Sequence, residues 1–366
     1  MRLTYRYRVY PTKPQMAVLE STLSSCQELY NAALQERRDA WSINRESINF
    51  AGQSAQLVEI KQVRPELNGI HSQVLQDTLH RVDKTFKSFF GRVKRKAKAG
   101  FPRFRSRSRY DSFTYPQLGF SLQGSRLSLS KIGKVKIKLH REIEGQIKTL
   151  TIKREAGRWY ACFSVEAEAQ PLPVRTESIG IDVGLLSFAT LSDGTEIDNP
   201  RWYREAQTIF RKAQRKVARR KKGSHRRRKA VQLLQRAHAH VRNQRADFHH
   251  KISHWLVNNY GLIVVEDLNV KGLASGMLAK SVTDAGWSAF IAKLLYKAEN
   301  AGRELVKVDP RGTSQTCLCG ASTPKTLSQR WHQCSECGLS ANRDHVSAQV
   351  ILERGLRLQN ATCSTS

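Results

Sequence analysis

Ser178-Ile179-Gly180-Ile181-Asp182-Val183-Gly184 reads as a short apolar strand that ends in an acid and a glycine. From this point the chain takes on an α/β texture. Two further short strands fit 186–191 and 195–197, joined by Asp193-Gly194, a hairpin-turn dipeptide. A long basic helical stretch follows over 202–258, interrupted near Gly223-Ser224. Leu262-Ile263-Val264-Val265 is a second buried strand, and it runs straight into Glu266-Asp267. A helix fits 285–301, a strand fits Leu305 to Val308, and Asp344 opens a last helix through about Arg354. The polar tail, 356–366, is expected to be disordered.

Asp182 and Glu266 thus each close a short apolar strand. Neighbouring parallel strands of an α/β sheet place such ends side by side. Asp344 stands at a helix start, where the helix dipole favours negative charge. Three acids converging on one sheet edge repel one another unless a cation binds. A hard ion such as Mg²⁺ prefers oxygen ligands and keeps waters. Two such ions ~3.5–4 Å apart can activate a water and stabilise the leaving oxygen of a phosphodiester. The competing reading is that each acid is a solvated cap, as Asp193, Asp198 and Asp309 read. The residues alone leave a metal site and three caps evenly matched.

Towards the N-terminus, residues 2–9 alternate as a strand, and Pro11 and Pro14 punctuate. Met16, Leu19, Leu23, Cys26, Tyr30, Ala33 and Leu34 mark one buried helix face, and Leu75, Leu79, Val82, Phe86, Phe89 and Phe90 mark another. Residues 52–69 between them look loop-rich. Short alternating runs at about 119–130, 133–139, 147–154 and 158–167, broken by glycines, indicate a small β domain, and 170–177 reads as a linker. The resulting division is a β domain over 1–11 and 99–172, a helical module over 12–98, an α/β domain over 173–312 and 341–355, and a cysteine-bearing segment over 313–340.

The 366 residues carry 62 Lys and Arg against 31 Asp and Glu, a formal charge of +31. Such an excess points to a polyanionic partner, nucleic acid before membrane. No run approaches the ~18 to 20 apolar residues of a spanning helix, and the N-terminus has no signal-peptide apolar region. A cytoplasmic protein is expected. Arg211, Arg215 and Arg219 repeat every four residues, and Arg226, Arg227 and Arg228 follow. On a helix these form positive rows that would repel one another, and a phosphate backbone would relieve the repulsion without being read for sequence. Arg103, Arg105, Phe113 and Tyr115 interleave aromatic rings with charge, which fits stacking surfaces and phosphate clamps equally well as a β-domain core.

Cys317, Cys319, Cys334 and Cys337 bunch together, whereas Cys26, Cys162 and Cys363 are scattered. An odd count, no export signal and one tight cluster argue for a structural Zn²⁺ site over disulfides. Cys334-Ser335-Glu336-Cys337-Gly338 is a normal knuckle. Cys317-Leu318-Cys319 has a one-residue spacer, which demands a sharper bend, and His332 is close enough in sequence to replace one sulfur.

Ile179-Gly180-Ile181-Asp182-Val183-Gly184, Val264-Val265-Glu266-Asp267-Leu268-Asn269-Val270, Thr313-Ser314-Gln315-Thr316-Cys317 and Asn342-Arg343-Asp344 resemble, in order and spacing, the motifs of the TnpB family. These are RNA-guided nucleases of bacterial insertion sequences and relatives of type V CRISPR effectors. Asp247 to Ser253, Asp284-Ala285-Gly286-Trp287, Tyr296-Lys297-Ala298 and Tyr10-Pro11-Thr12 also resemble it. The resemblance implies a RuvC nuclease domain of RNase H-like fold with an inserted zinc ribbon, a helical recognition module and a small β-barrel-like (WED-type) domain. It implies Asp182, Glu266 and Asp344 as catalytic Mg²⁺ ligands, with a first cysteine pair that departs from the usual two-residue spacer. It implies a monomeric protein carrying a guide RNA from its element's own end and cutting double-stranded DNA beside a short flanking motif. A nuclease-inactive RNA-guided repressor, a strand-transfer transposase and an unguided structure-specific nuclease are the competing readings.

Overall fold

The computed structural model describes residues 1–326 and 328–363. They form two compact units that divide at Ala167–Glu168. In the first, β1 (Arg2–Tyr10) buries Tyr5, Tyr7 and Val9 through its alternation. Thr12 and Gln15 form a reciprocal capping box that starts α1 (Lys13–Asp39). α2 (Phe50–Ala55), α3 (Leu57–Val63) and a 3₁₀ turn at Pro65–Gly69 precede α4 (Ser72–Lys94). β2 (Ser112–Tyr115), β3 (Phe120–Gln123), β4 (Arg126–Leu129), β5 (Gly133–Lys138), β6 (Gln146–Glu155) and β7 (Arg158–Glu166) follow. The seven-stranded sheet has the order β2-β6-β7-β1-β5-β4-β3, so the first strand of the chain lies between β7 and β5.

Two features of this unit differ from the sequence reading. Residues 52–69 are mostly helical. Asn49 caps α2 by accepting the Gly52 N–H at 2.9 Å, and the buried Gln53 amide donates to Ala33 O at 2.9 Å. Such short helices depend on tertiary anchors that local composition does not reveal. The helices and the sheet also share one hydrophobic core, in which Leu23, Tyr30, Leu75 and Leu79 join Tyr7, Phe113, Ile152 and Phe163. The boundary drawn near residue 98 therefore separates two layers of one packed body.

The second unit opens with β8 (Ser178–Val183), β9 (Ser187–Leu191) and β10 (Glu196–Asp198), an antiparallel run. α5 (Trp202–Glu205), α6 (Gln207–Ala218) and α7 (His225–Asn259) lead to β11 (Leu262–Glu266). α8 (Val270–Leu273), α9 (Ala279–Ala285) and α10 (Trp287–Ala301) lead to β12 (Glu304–Val308). β13 (Trp331–Gln333) and β14 (Ser340–Asn342) form a separate two-stranded sheet, and α11 (Arg343–Cys363) ends the described chain. The main sheet has the order β10-β9-β8-β11-β12, with β8, β11 and β12 parallel. One face, carrying Ile179, Ile181, Ile263 and Val265, packs with Leu256, Phe290 and Leu294. The other face packs on α11 through Leu262, Val264, Val308 and Ile351.

The tail expected to be disordered continues α11 as far as Cys363; residues 364–366 lie outside the described residues. Extending an anchored helix adds one hydrogen bond per residue fixed. Here Arg357 also pairs with Glu353 at 2.5 Å, and Gln359 reaches Glu304 on β12. Among the described residues no helix is long and apolar enough to cross a membrane.

The approach of α11 to the sheet is unusually close. A Cβ on Gly180 would sit 2.2 Å from Ala348 O and 2.8 Å from Leu352 N; one on Gly355 would sit 2.4 Å from a Val264 methyl. Backbone cannot yield as a flexible side chain can. Gly180→Ala is therefore expected to cost at least the ~1–3 kcal/mol typical of overpacking, whereas Gly276→Ala, with its nearest neighbour at 3.9 Å, should be near neutral. Thermal unfolding of the two variants checks this, and equal midpoints would refute the close contact.

Candidate active site and metal centre

β8 and β11 run parallel with Gly180 opposite Val264 and Ile181 opposite Val265. Their next residues, Asp182 near the end of β8 and Glu266 at the end of β11, therefore stand in the same row of adjacent strands. By strand alternation both acids lie on the face that Gly180 and Val264 present to α11. The first turn of α11 brings Asp344 to that face. The backbone N–H of Asp344 donates to Asn342 Oδ1 at 2.9 Å, which fixes the start of the helix.

The charges feel one another. Burial first, then the negative charges of Glu266 and Asp344, push the Asp182 carboxyl well above the usual carboxylate range; the Ser347 hydroxyl and Arg343 oppose this. Burial also raises Glu266, against a hydrogen bond from Thr313 and the charge of Arg354. Arg330 lies 3.8 Å from an Asp344 oxygen. Among the described residues, the cysteine quartet is the one group of three or more potential metal ligands whose donor atoms all lie within 4.8 Å of one another. The three carboxylates do not form such a group; what ties them together is the raising of Asp182 by the charges of the other two.

Three of these supporting groups carry no signal that singles them out in sequence. Thr313 is 3% exposed and its hydroxyl donates to Glu266 Oε1 at 2.5 Å. Arg354 Nη1 donates to the carbonyls of Asp309 and Arg311 at 2.9 and 2.8 Å, pinning the loop that carries Thr313 to α11. Ser347 stands three residues after Asp344, one helical turn along the same helix. The Thr313 motif is visible as a string, but its task depends on where the loop lands.

Cys317, Cys319, Cys334 and Cys337 meet despite the one-residue spacer, with Cys317 Sγ 3.6 Å from Cys337 Sγ and Cys319 Sγ 3.7 Å from Cys334 Sγ. Thiolates ~2.3 Å from one tetrahedral zinc would be separated by about this distance, so the quartet fits the ion. The sharp bend is made by Gly320, whose φ of +88° is open to glycine, with its N–H on Cys317 O at 2.9 Å. Gly338 (φ +75°) closes the second knuckle. Backbone N–H groups of Cys337 and Glu336 pull the Cys334 thiol down to about 6. His332 does not join the quartet. It is the fully buried middle residue of β13, with Nδ1 against Lys325 Nζ.

The candidate nucleic-acid residues separate. Arg103 and Arg105 are exposed, as are Arg211 and Arg215 on α6, Arg219 at its C-terminus, and Arg226 and Arg228 on the first turn of α7. Arg227 is partly buried, and its Nη1 donates to Val217 O and Arg220 O at 3.1 Å each. It caps the end of α6 and is not free for phosphate. Phe113 and Tyr115, each 1% exposed, cannot offer a ring face to a base. The alternation of β2 turns both into the core, where they pack edge to face at 5.9 Å.

Comparisons with known proteins bear on these features. Residues 161–276 match a family model described as "Probable transposase", and residues 287–351 match a Cas12f1-like TNB domain. Residues 1–46 match a helix-turn-helix domain, although here they fold as β1, α1 and a π-helical turn. The chain is 35% identical to a "Putative RNA-guided DNA endonuclease" of Streptomyces pristinaespiralis over 97% of this chain and 90% of that protein. It is 29% identical to the "Putative RNA-guided DNA endonuclease InsQ" of Escherichia coli K12 over 96% of this chain and 92% of that protein. A CRISPR-associated endodeoxyribonuclease, Cas12f1 of Sulfoacidibacillus thermotolerans, is 29% identical over 53% of this chain and 50% of its own. With an α/β sheet whose parallel strand ends carry the acids, a four-cysteine cluster beside them, and this likeness over nearly its whole length, the chain belongs to the TnpB family.

Proposed function

We propose that the protein is an RNA-guided, Mg²⁺-dependent DNA endonuclease of a transposable element, with its second unit acting as a RuvC-type nuclease of RNase H-like fold. The observation that carries this reading is the convergence of Asp182, Glu266 and Asp344 on one sheet face, close enough for their charges to oppose one another. The chain has twice as many basic as acidic residues, so three acids set together at a cost to the fold need a compensating cation. The printed names of the relatives support the guide RNA and the DNA target. The zinc ribbon over 313–340 and the WED-type role of the first-unit sheet belong to the same reading, as does a monomer with its RNA.

Asp182, Glu266 and Asp344 would hold the divalent ions, which when bound supply Lewis-acid stabilisation of charge developing on the phosphodiester. The chain's own groups set the geometry. Thr313 orients the Glu266 carboxylate by donating to Oε1. The Ser347 hydroxyl on α11 favours the charged form of Asp182 and so opposes the rise that burial causes. Arg343 and Arg330 offset part of the negative charge from the side of Asp344. No side chain is required as a nucleophile, because a water can attack in line.

Asp182→Ala, Glu266→Gln and Asp344→Ala are each expected to abolish cleavage of a guide-matched duplex while co-purifying RNA remains bound. Retained cutting by any one removes that acid from the site. Thr313→Val should slow cleavage by about 10–100-fold, the usual effect of losing a group that orients a metal ligand.

The repulsion has a separate consequence for stability. Because the fold holds the Asp182 proton more tightly than the unfolded chain does, metal-free stability falls as pH rises above the ordinary carboxylate range, with the full penalty above the raised value. Asp182→Asn should therefore raise the unfolding midpoint in EDTA at neutral pH and remove the stabilisation that Mg²⁺ gives the parent. A variant that unfolds earlier than the parent in EDTA would contradict like-charge strain.

The cysteine site predicts one zinc per chain by elemental analysis. Cys317→Ser or Cys334→Ser should lower that content and the cooperativity of unfolding. Full zinc in both would sink the four-sulfur assignment, whereas His332→Ala should retain the metal.

A further inference from the structure

In the first unit, the end of α4 and the segment after it carry aromatic rings that the core does not absorb. Phe90, Phe101 and Phe104 are 60%, 50% and 47% exposed. Phe90 lies 5.2 Å from Phe89 and 6.2 Å from Phe86; Phe101 packs edge on against both, at 5.3 and 5.9 Å. Arg37 stacks over the inner ring, Phe86, at 5.5 Å. The rings therefore form one continuous patch, rooted at Phe86 and open at Phe90 and Phe101.

The patch is held in place. Asn31 on α1 grips Arg105 in both directions, its Nδ2 donating to Arg105 O at 2.9 Å and its Oδ1 accepting the Arg105 N–H at 2.8 Å. Gln27 adds a third bond to Arg105 O at 2.7 Å. The segment Phe101–Arg105 is thereby fixed beside the end of α4. Contiguous exposed aromatic surface is unfavourable in water and marks a contact site.

Charge selects the occupant. No acidic residue occurs between Lys84 and Tyr110, whereas Arg92, Lys94, Lys96, Arg103 and Arg105 flank the rings in sequence and are exposed; Lys87 pairs with Asp83 at 2.9 Å. A second protein surface or an apolar ligand would leave these like charges unbalanced. Unpaired nucleotides answer both features, with π-faces for the phenylalanines and phosphates for the cations. We propose that Phe90 and Phe101, braced by Phe86 and Phe89, form a stacking platform for unpaired bases of a single nucleic-acid strand, with the surrounding lysines and arginines holding its phosphates. This deepens the reading of the protein as a nucleic-acid enzyme by assigning a single-strand site in the first unit.

The test is fluorescence anisotropy of a labelled single-stranded oligonucleotide, in deoxy and ribo forms of one sequence, and of the matching duplex. The full-length protein is used, with EDTA present so that the result does not depend on the carboxylate site. Phe90→Ala with Phe101→Ala should weaken single-strand binding about fivefold or more, the lower end for loss of base stacking. Duplex affinity and the slope of affinity against salt should be unchanged. Phe90→Leu with Phe101→Leu keeps apolar bulk and should weaken binding nearly as much, while Phe90→Trp should restore it. Lys94→Gln with Lys96→Gln should instead flatten the salt slope on every probe. The larger loss, on the ribo or the deoxy strand, identifies which the platform holds. Unchanged single-strand affinity in the phenylalanine variants, or an equal loss on the duplex, overturns the proposal, as does a change in oligomeric state on gel filtration. Cleavage activity is scored separately, so failure of the nuclease reading leaves this result readable.

Discussion

The backbone of α11 rests directly on β8 because residue 180 has no side chain. With Ala348 O placed where a Cβ would be, the helix is held at a distance that admits no other residue. A second glycine repeats the contact from the helix side, where Gly355 lies against Val264 on β11. These two points set the height and axial position of α11 over the parallel strands. Asp344 and Ser347 ride on its first turn, so the meeting of three acids distant in sequence is settled by residues with no chemistry of their own. The loop carrying Thr313 is tied to the same helix through Arg354, so the row of acids and its hydrogen-bond support share one reference element.

That packing imposes an electrostatic cost that the fold retains. A carboxyl taken out of water beside two others is shifted towards its neutral form, and Asp182 shows this in the sense that burial and both neighbours act together. A stability-optimised chain would place an amide there. The same unit shows how acids behave when nothing is asked of them: Asp267 pairs with Lys307 at 3.2 Å, and Asp193 accepts from Tyr260 at 2.8 Å. Asp182 is set apart from these acids by burial beside Glu266 and Asp344, which the Ser347 hydroxyl and the charge of Arg343 only partly offset.

The strand positions of Asp182 and Glu266 and the second cysteine knuckle were legible in sequence because their signals are local. An apolar run of strand length that terminates in an acid puts that acid at a strand end, and C-x-x-C-G is a turn with both sulfurs on one side. What sequence could not supply were facts of tertiary placement. The alternation of Ser112–Tyr115 shows that Phe113 and Tyr115 share a face, but not that this face is the core. The row of arginines across 211–228 shows charge, but not that Arg227 folds back to cap α6. The short helices at 50–63 rest on Asn49, a local cap, and on Gln53, whose partner Ala33 O lies on α1. For the same reason, an i+3 serine and a motif threonine gave no hint of the carboxylates they serve.

The aromatic segments around residue 100 illustrate how one composition divides into two roles. Phe113 and Tyr115 belong to a strand paired with β6, and pairing commits alternate side chains to the sheet's inner face. Phe101 and Phe104 belong to a segment with no strand partner, held instead by the side chain of Asn31 through the backbone of Arg105. A backbone tied down by a side chain leaves its own side chains free to point outward, and cations fill the intervening positions. The second unit sets three acids close together, while over the whole chain basic residues outnumber acidic ones two to one. On the proposed reading, each arrangement would be relieved by binding, one by divalent ions and the other by a polyanion. The excess of positive charge and the cluster of negative charge are therefore complementary consequences of a fold arranged for a phosphodiester strand.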